Sequence, residues 1–136
     1  MTEETCGLRV GYSQVTITPT SPVPMAGYSA RGKRLFETVE DPLTARALYL
    51  EQGDVRAVLL VADLVGVDES WGRRLRAQVG EQLSMPTEHV VVLGTHTHFG
   101  PAVRVFEMAG REHETWLEDA VAGMAQAAVS AAADTK

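Results

Sequence analysis

Three observations predict an α/β fold with a mixed sheet. Residues 56–63 and 89–95 are apolar runs of strand length. The segment between them carries Trp71, Leu75, Val79 and Leu83 at four-residue intervals, and residues 44–51 form a further strand, joined to 56–63 by Gly53-Asp54. Strand, helix and strand across 56–95 imply a parallel β-α-β unit, since parallel neighbours need a crossover. The hairpin supplies an antiparallel partner.

Each element has a local reason. Residues 8–18 are rich in β-branched side chains and end at Pro19, so they read as a first strand. Pro19 to Pro24 is a turn-rich connection, and 25–35 has no clear period, its glycines at 27 and 32 marking an irregular loop. The run Val58-Leu59-Leu60-Val61-Ala62 is apolar on both faces, which places that strand centrally in the sheet. Ser70 is the expected N-cap of the first helix. Its four-residue stripe defines one buried face, and Met85-Pro86 stops it. Residues 112–132 form a second helix, with Trp116, Leu117, Ala120, Val121, Met124 and Ala128 as its packing face.

The chain of 136 residues is long enough for a single domain with a real core. Its net charge of -6 and its lack of a basic patch exclude a nucleic-acid backbone as the expected partner. The pairs Lys33-Arg34 and Arg73-Arg74 read as solvated faces. No apolar run reaches membrane-spanning length. Cys6 is the only cysteine, and Met1 to Thr5 is acidic with no apolar core of a signal peptide, so a cytoplasmic location is expected of the chain as written.

The chemistry concentrates in Thr95-His96-Thr97-His98-Phe99-Gly100-Pro101. If 95–98 continue the strand, alternation puts His96 and His98 on one face at its C-terminal end. Open α/β sheets place ligands at that edge, and two imidazoles there suit a divalent metal such as zinc. Two ordinary surface histidines are the competing reading. In a parallel unit Asp63 ends beside His96, either as a carboxylate that orients an imidazole behind the metal or as a strand-end acid that caps a loop. Elsewhere, His89 reads as a surface residue at the opposite edge. His113 opens the last helix between Glu112 and Glu114, acids that the helix dipole explains. Glu107 is a further ligand candidate and Arg104 a candidate anion contact, each with a solvent-exposed alternative. No second histidine completes an H-E-x-x-H helix, no G-x-S-x-G elbow occurs, and no phosphate-cradling glycine loop is present.

Several segments, taken in order, resemble the neutral/alkaline non-lysosomal ceramidase family. These are Val10-Gly11-Tyr12 through Thr18-Pro19, Met25-Ala26-Gly27-Tyr28, Asp41-Pro42-Leu43 through Leu48, Val58 through Leu64, and the histidine segment, which is similar to the family's T-H-T-H-S-G-P signature. The resemblance covers roughly residues 8–130. It implies a zinc-dependent amidohydrolase in which metal-bound water attacks the N-acyl bond of a lipid amide or a related small molecule. It also implies that His96 ligates zinc and that His98 acts beside the metal as a catalytic group or a second ligand. The family's remaining ligands, a histidine, a glutamate and a tyrosine, lie downstream of the signature, so the chain is expected to be the N-terminal part of a catalytic domain and inactive alone. Phe99 stands where the signature has serine, and the secretion signal usual in the family is not visible. The alternative is a stand-alone, non-enzymatic metal-binding or interaction domain, in which an exposed apolar edge drives homo-oligomer formation.

Overall fold

The computed structural model describes residues 7–104 and 110–136. Strands β1 (Arg9–Thr16), β2 (Thr44–Gln52), β3 (Val55–Ala62) and β4 (Val90–Gly94) form one sheet in that order. β1 with β2 and β2 with β3 are antiparallel, while β3 with β4 is parallel. Helix α1 (Glu69–Gln82) makes the crossover from β3 to β4, and α2 (Gly110–Ala133) closes the chain. The sheet is therefore mixed, with the parallel unit expected across 56–95, and β3 is flanked on both sides. The candidate ligand Glu107 and the lone cysteine Cys6 lie outside the described residues.

Alternation along the strands sorts the side chains into two faces. On the inner face, Tyr49 pairs with Val58 and Val58 with Val90, while Ala47 pairs with Leu60. All five are buried. The helices lie against this face, α2 over β1 and β2 and α1 beside β4. Trp71, Leu75 and Val79 of α1 enter the same core, as do Trp116, Leu117, Met124 and Ala128 of α2. Small residues on the inner face of β1 and β2 let α2 sit close. A Cβ at Gly11 would come within 1.8 Å of the Ala131 carbonyl oxygen, so no larger residue fits there. The buried indoles each find an acceptor, Trp71 Nε1 donating to Val103 O (2.9 Å) and Trp116 Nε1 to Ile17 O (2.7 Å).

The outer face reads Tyr12, Leu48, Leu59 and Val91 in one row, with Val61 beside Leu93 in the next. No described element covers it. Tyr12 is 51% exposed, Val91 42% and Leu93 46%. Parallel strands are ordinarily covered on both faces, so this face is unusually apolar for one that meets water.

One local expectation is corrected. The N-cap of α1 is Asp68, not Ser70. Asp68 Oδ1 accepts the Ser70 N–H at 3.1 Å and the Ser70 hydroxyl at 2.7 Å. The helix ends at Gln82 with Leu83 as its C-cap, short of Met85-Pro86 as expected. Ser84 takes a left-handed conformation (φ 50°), Ser84 N–H donates to Glu81 O and Met85 N–H to Gly80 O. That pair of bonds satisfies carbonyls the last turn leaves open. Arg56, reaching from β3, adds donors to Leu83 O and Ser84 O.

Candidate metal centre

Strand β4 ends at Gly94, yet the backbone ladder to the β3 side runs on. Thr95 N–H donates to Ala62 O (2.9 Å) and His96 N–H to Leu64 O (3.0 Å). His96 then turns into the left-handed region with φ 65°. The expected strand alternation therefore does not bring the histidines together. A sharp local turn does so instead, and an L-residue pays for that conformation at a cost of roughly 1–3 kcal/mol. Such strain is held in place only where surrounding bonds over-determine it.

The two rings converge through their distal nitrogens. His96 Nε2 and His98 Nε2 are 3.4 Å apart, with ring centroids 4.9 Å apart and planes at 77°. His96 Nδ1 lies 2.7 Å from the Val65 carbonyl oxygen. A carbonyl only accepts, so Nδ1 carries the proton and Nε2 presents its lone pair. Two imidazole nitrogens bound at about 2.0–2.1 Å to a tetrahedral ion would stand roughly 3.3–3.4 Å apart. The pair thus fits two corners of a zinc site. Among the described residues, no group of three or more histidine, cysteine, aspartate or glutamate side chains could hold a metal ion.

Asp63 sits at the end of β3, close in the chain to Leu64 and Val65, whose carbonyls hold His96. Its own carboxylate faces elsewhere. Oδ2 accepts from the backbone N–H and the hydroxyl of Thr44, both at 2.9 Å, and Oδ1 pairs with Arg46 at 3.3 Å. The contact that orients the His96 imidazole belongs to the Val65 carbonyl, while Asp63, for which that contact was one of two expected roles, bonds Thr44 and Arg46. Burial works to raise the Asp63 pKa, but the bonds from Thr44 and Arg46 outweigh it and hold the carboxyl below its ordinary value.

The loop after β1 packs against the histidine segment. Ala26 N–H donates to Gly100 O (3.0 Å) and Ala102 N–H to Pro24 O (2.8 Å), and Met25 bridges Pro101. Arg31 donates to the His98 carbonyl at 2.8 Å. Sequence reading assigned Arg31 nothing, since an arginine in an aperiodic loop has no spacing signal. Behind the segment, Thr97, Phe99 and Asp63 line an open groove of about 610 Å³, together with Met25, Phe36 and Leu43. Phe99 itself is 68% exposed.

The other candidates are distributed away from the pair. His89 lies in a short 3-10 turn (Thr87–His89) before β4, at the opposite edge. Arg104 pairs with Asp68 at 2.8 Å. His113 lies near the start of α2, as expected, and is fully buried. Its Nε2 bonds Ala102 O at 2.7 Å and its ring stacks obliquely near Trp116.

Neutral ceramidase from Pseudomonas aeruginosa superposes on 98% of this chain with a TM-score of 0.82 at 22% sequence identity. The chain has the fold of a ceramidase segment. A second solved structure, a ceramidase complexed with C2, superposes on 95% of the chain with a TM-score of 0.79 at 23% identity. The chain spans only 22% of the length of each of these ceramidases. No protein-family model and no curated protein matches the sequence. The ceramidase-like fold bears out the resemblance carried by the ordered segments of the sequence. Among the described residues, no helix of this ceramidase-like segment is long and apolar enough to cross a membrane.

Proposed function

We propose that this chain is a piece of a ceramidase-like, zinc-dependent amidohydrolase, and that His96 and His98 contribute two donors to its metal. The observation that carries this reading is the 3.4 Å approach of the two Nε2 atoms, one of them freed for coordination by the Nδ1 bond to Val65. Zinc, when bound, supplies a Lewis acid that activates water toward an amide carbonyl. His96 would hold it with a fixed tautomer. His98 would complete the pair or stabilise the developing oxyanion. Asp63 would brace the site through Thr44 and the β2–β3 edge. The neighbouring groove, part apolar and part acidic, would receive the substituents of a lipid or small-molecule amide. With no third ligand among the described residues, the chain by itself is expected to be inactive.

The test is a Zn²⁺ titration of the full chain, followed calorimetrically, beside His96→Ala and His98→Ala. Zinc binding that either substitution abolishes supports the reading. Unchanged zinc content in His96→Ala would sink it. Hydrolase activity in this chain, lost to chelators and restored by zinc, would overturn the expectation of inactivity.

A second reading rests on the uncovered outer face of the sheet. Its apolar rows favour a domain that packs against another chain, with a second copy as the simplest partner. Sedimentation across a concentration series decides this. A mass that rises with concentration in wild type but not in Leu93→Glu favours it, and a monomer throughout counts against it.

A further inference from the structure

We propose that Arg31 is the positioning residue that sets His98 against His96, an inference that rests on the metal reading above. Arg31 closes a short 3-10 turn, Ser29–Arg31. Its Nη1 donates to two carbonyls at once, Ala26 O at 2.7 Å and His98 O at 2.8 Å. The guanidinium lies over the Tyr28 ring at 4.8 Å and over the Phe99 ring at 5.5 Å. Tyr28 in turn meets the His98 ring edge-on, with centroids 5.2 Å apart.

The loop therefore grips His98 from several sides. Gly27 makes the grip close. It has φ 102°, and a Cβ there would stand 2.5 Å from the His98 Cβ. His96 depends on a different support, the Leu64 and Val65 carbonyls at the end of β3. The two rings thus have independent anchors, and their nitrogens converge only while both anchors hold.

The chemistry explains why arginine stands there. One planar nitrogen offers two diverging hydrogens for two carbonyls while the flat ion stacks on the aromatic rings. Lysine keeps the donors but not the plane, and alanine keeps neither. Among the described residues Arg31 forms no ion pair with a carboxylate, so its bonding is directed to the clasp. Outer-sphere partners of metal-bound histidine typically change metal affinity by about 10–100-fold.

The experiment compares wild type, Arg31→Ala and Arg31→Lys of the full chain in two readouts. Ring-to-ring NOEs between His96 and His98 are recorded without metal, and Zn²⁺ affinity is measured well below each protein's Tm. Loss of the NOEs and roughly tenfold weaker zinc binding in Arg31→Ala, with part of both restored in Arg31→Lys, is the expected result. Wild-type NOEs and wild-type affinity in folded Arg31→Ala would overturn the assignment. If Arg31→Ala does not fold, Arg31→Lys decides on the same readouts: a measurable loss supports the assignment and none overturns it. Wild type that shows the NOEs but binds no zinc refutes the metal reading alone, and the NOE comparison still judges Arg31.

Discussion

Asp63 holds Thr44 twice, its Oδ2 accepting the backbone N–H and the side-chain hydroxyl at 2.9 Å each. This clamp joins the start of β2 to the end of β3, directly before the two carbonyls that support His96. Its carboxyl is depressed below the ordinary value of 3.8 despite the opposing effect of burial. A depressed folded-state pKa contributes stability above the unfolded value, and that contribution is lost as pH falls through the folded value. Asp63→Asn should therefore cost about 1–2 kcal/mol at neutral pH. The gap to wild type should narrow as the pH falls below the ordinary carboxyl value of about 4. Urea unfolding at a series of pH values measures it, and a gap that stays constant would show that the charge is not responsible.

Capping of α1 offers a sharper comparison. Asp68 accepts from Ser70 through both backbone and side chain, and these bonds, more than its ion pair with Arg104, lower its pKa. Asp68→Ala should cost about 1 kcal/mol. Ser70→Ala should cost less, because it leaves the backbone bond in place. Equal losses in thermal unfolding would contradict the assignment of the cap to Asp68.

The left-handed turn at His96 can be tested apart from its chemistry. His96→Gly and His96→Ala both remove the imidazole and its bond to Val65, so their difference isolates the backbone. Glycine adopts φ 65° freely. His96→Gly should be about 1 kcal/mol more stable than His96→Ala. His96→Val, β-branched at positive φ, should be the least stable of the three. If Ala and Gly unfold together, residue 96 is not strained.

Much of this architecture was legible because it follows from periodicity. The four-residue stripe of Trp71, Leu75 and Val79 and the two flanking apolar runs required a parallel unit, and the double-sided run at 58–62 required a central strand. The placement of the histidine segment directly after the last strand was legible, since the apolar run before it ends at Gly94. The manner of its convergence was not. Strand alternation would have brought the rings together passively, whereas a positive φ at His96 does so, and no residue type at position 96 announces that. The oriented contact to Val65 uses a backbone carbonyl, which has no sequence signature. Arg31 was silent for a related reason, since its partners are the carbonyls of residues 26 and 98, brought near by loop packing. The buried bond of His113 to Ala102 was silent as well, since its acceptor is again a backbone carbonyl.

The bare outer face of the sheet has a calorimetric consequence. The heat capacity of unfolding tracks the apolar surface newly wetted when a chain opens, at about 12–15 cal/mol/K per residue in ordinary domains. Here Tyr12, Val91 and Leu93 are already half wet before unfolding begins. The chain should show an increment below that range, and so a flatter curve of stability against temperature. Whatever comes to cover the face would carry the missing heat capacity into its own association, as a negative increment on binding.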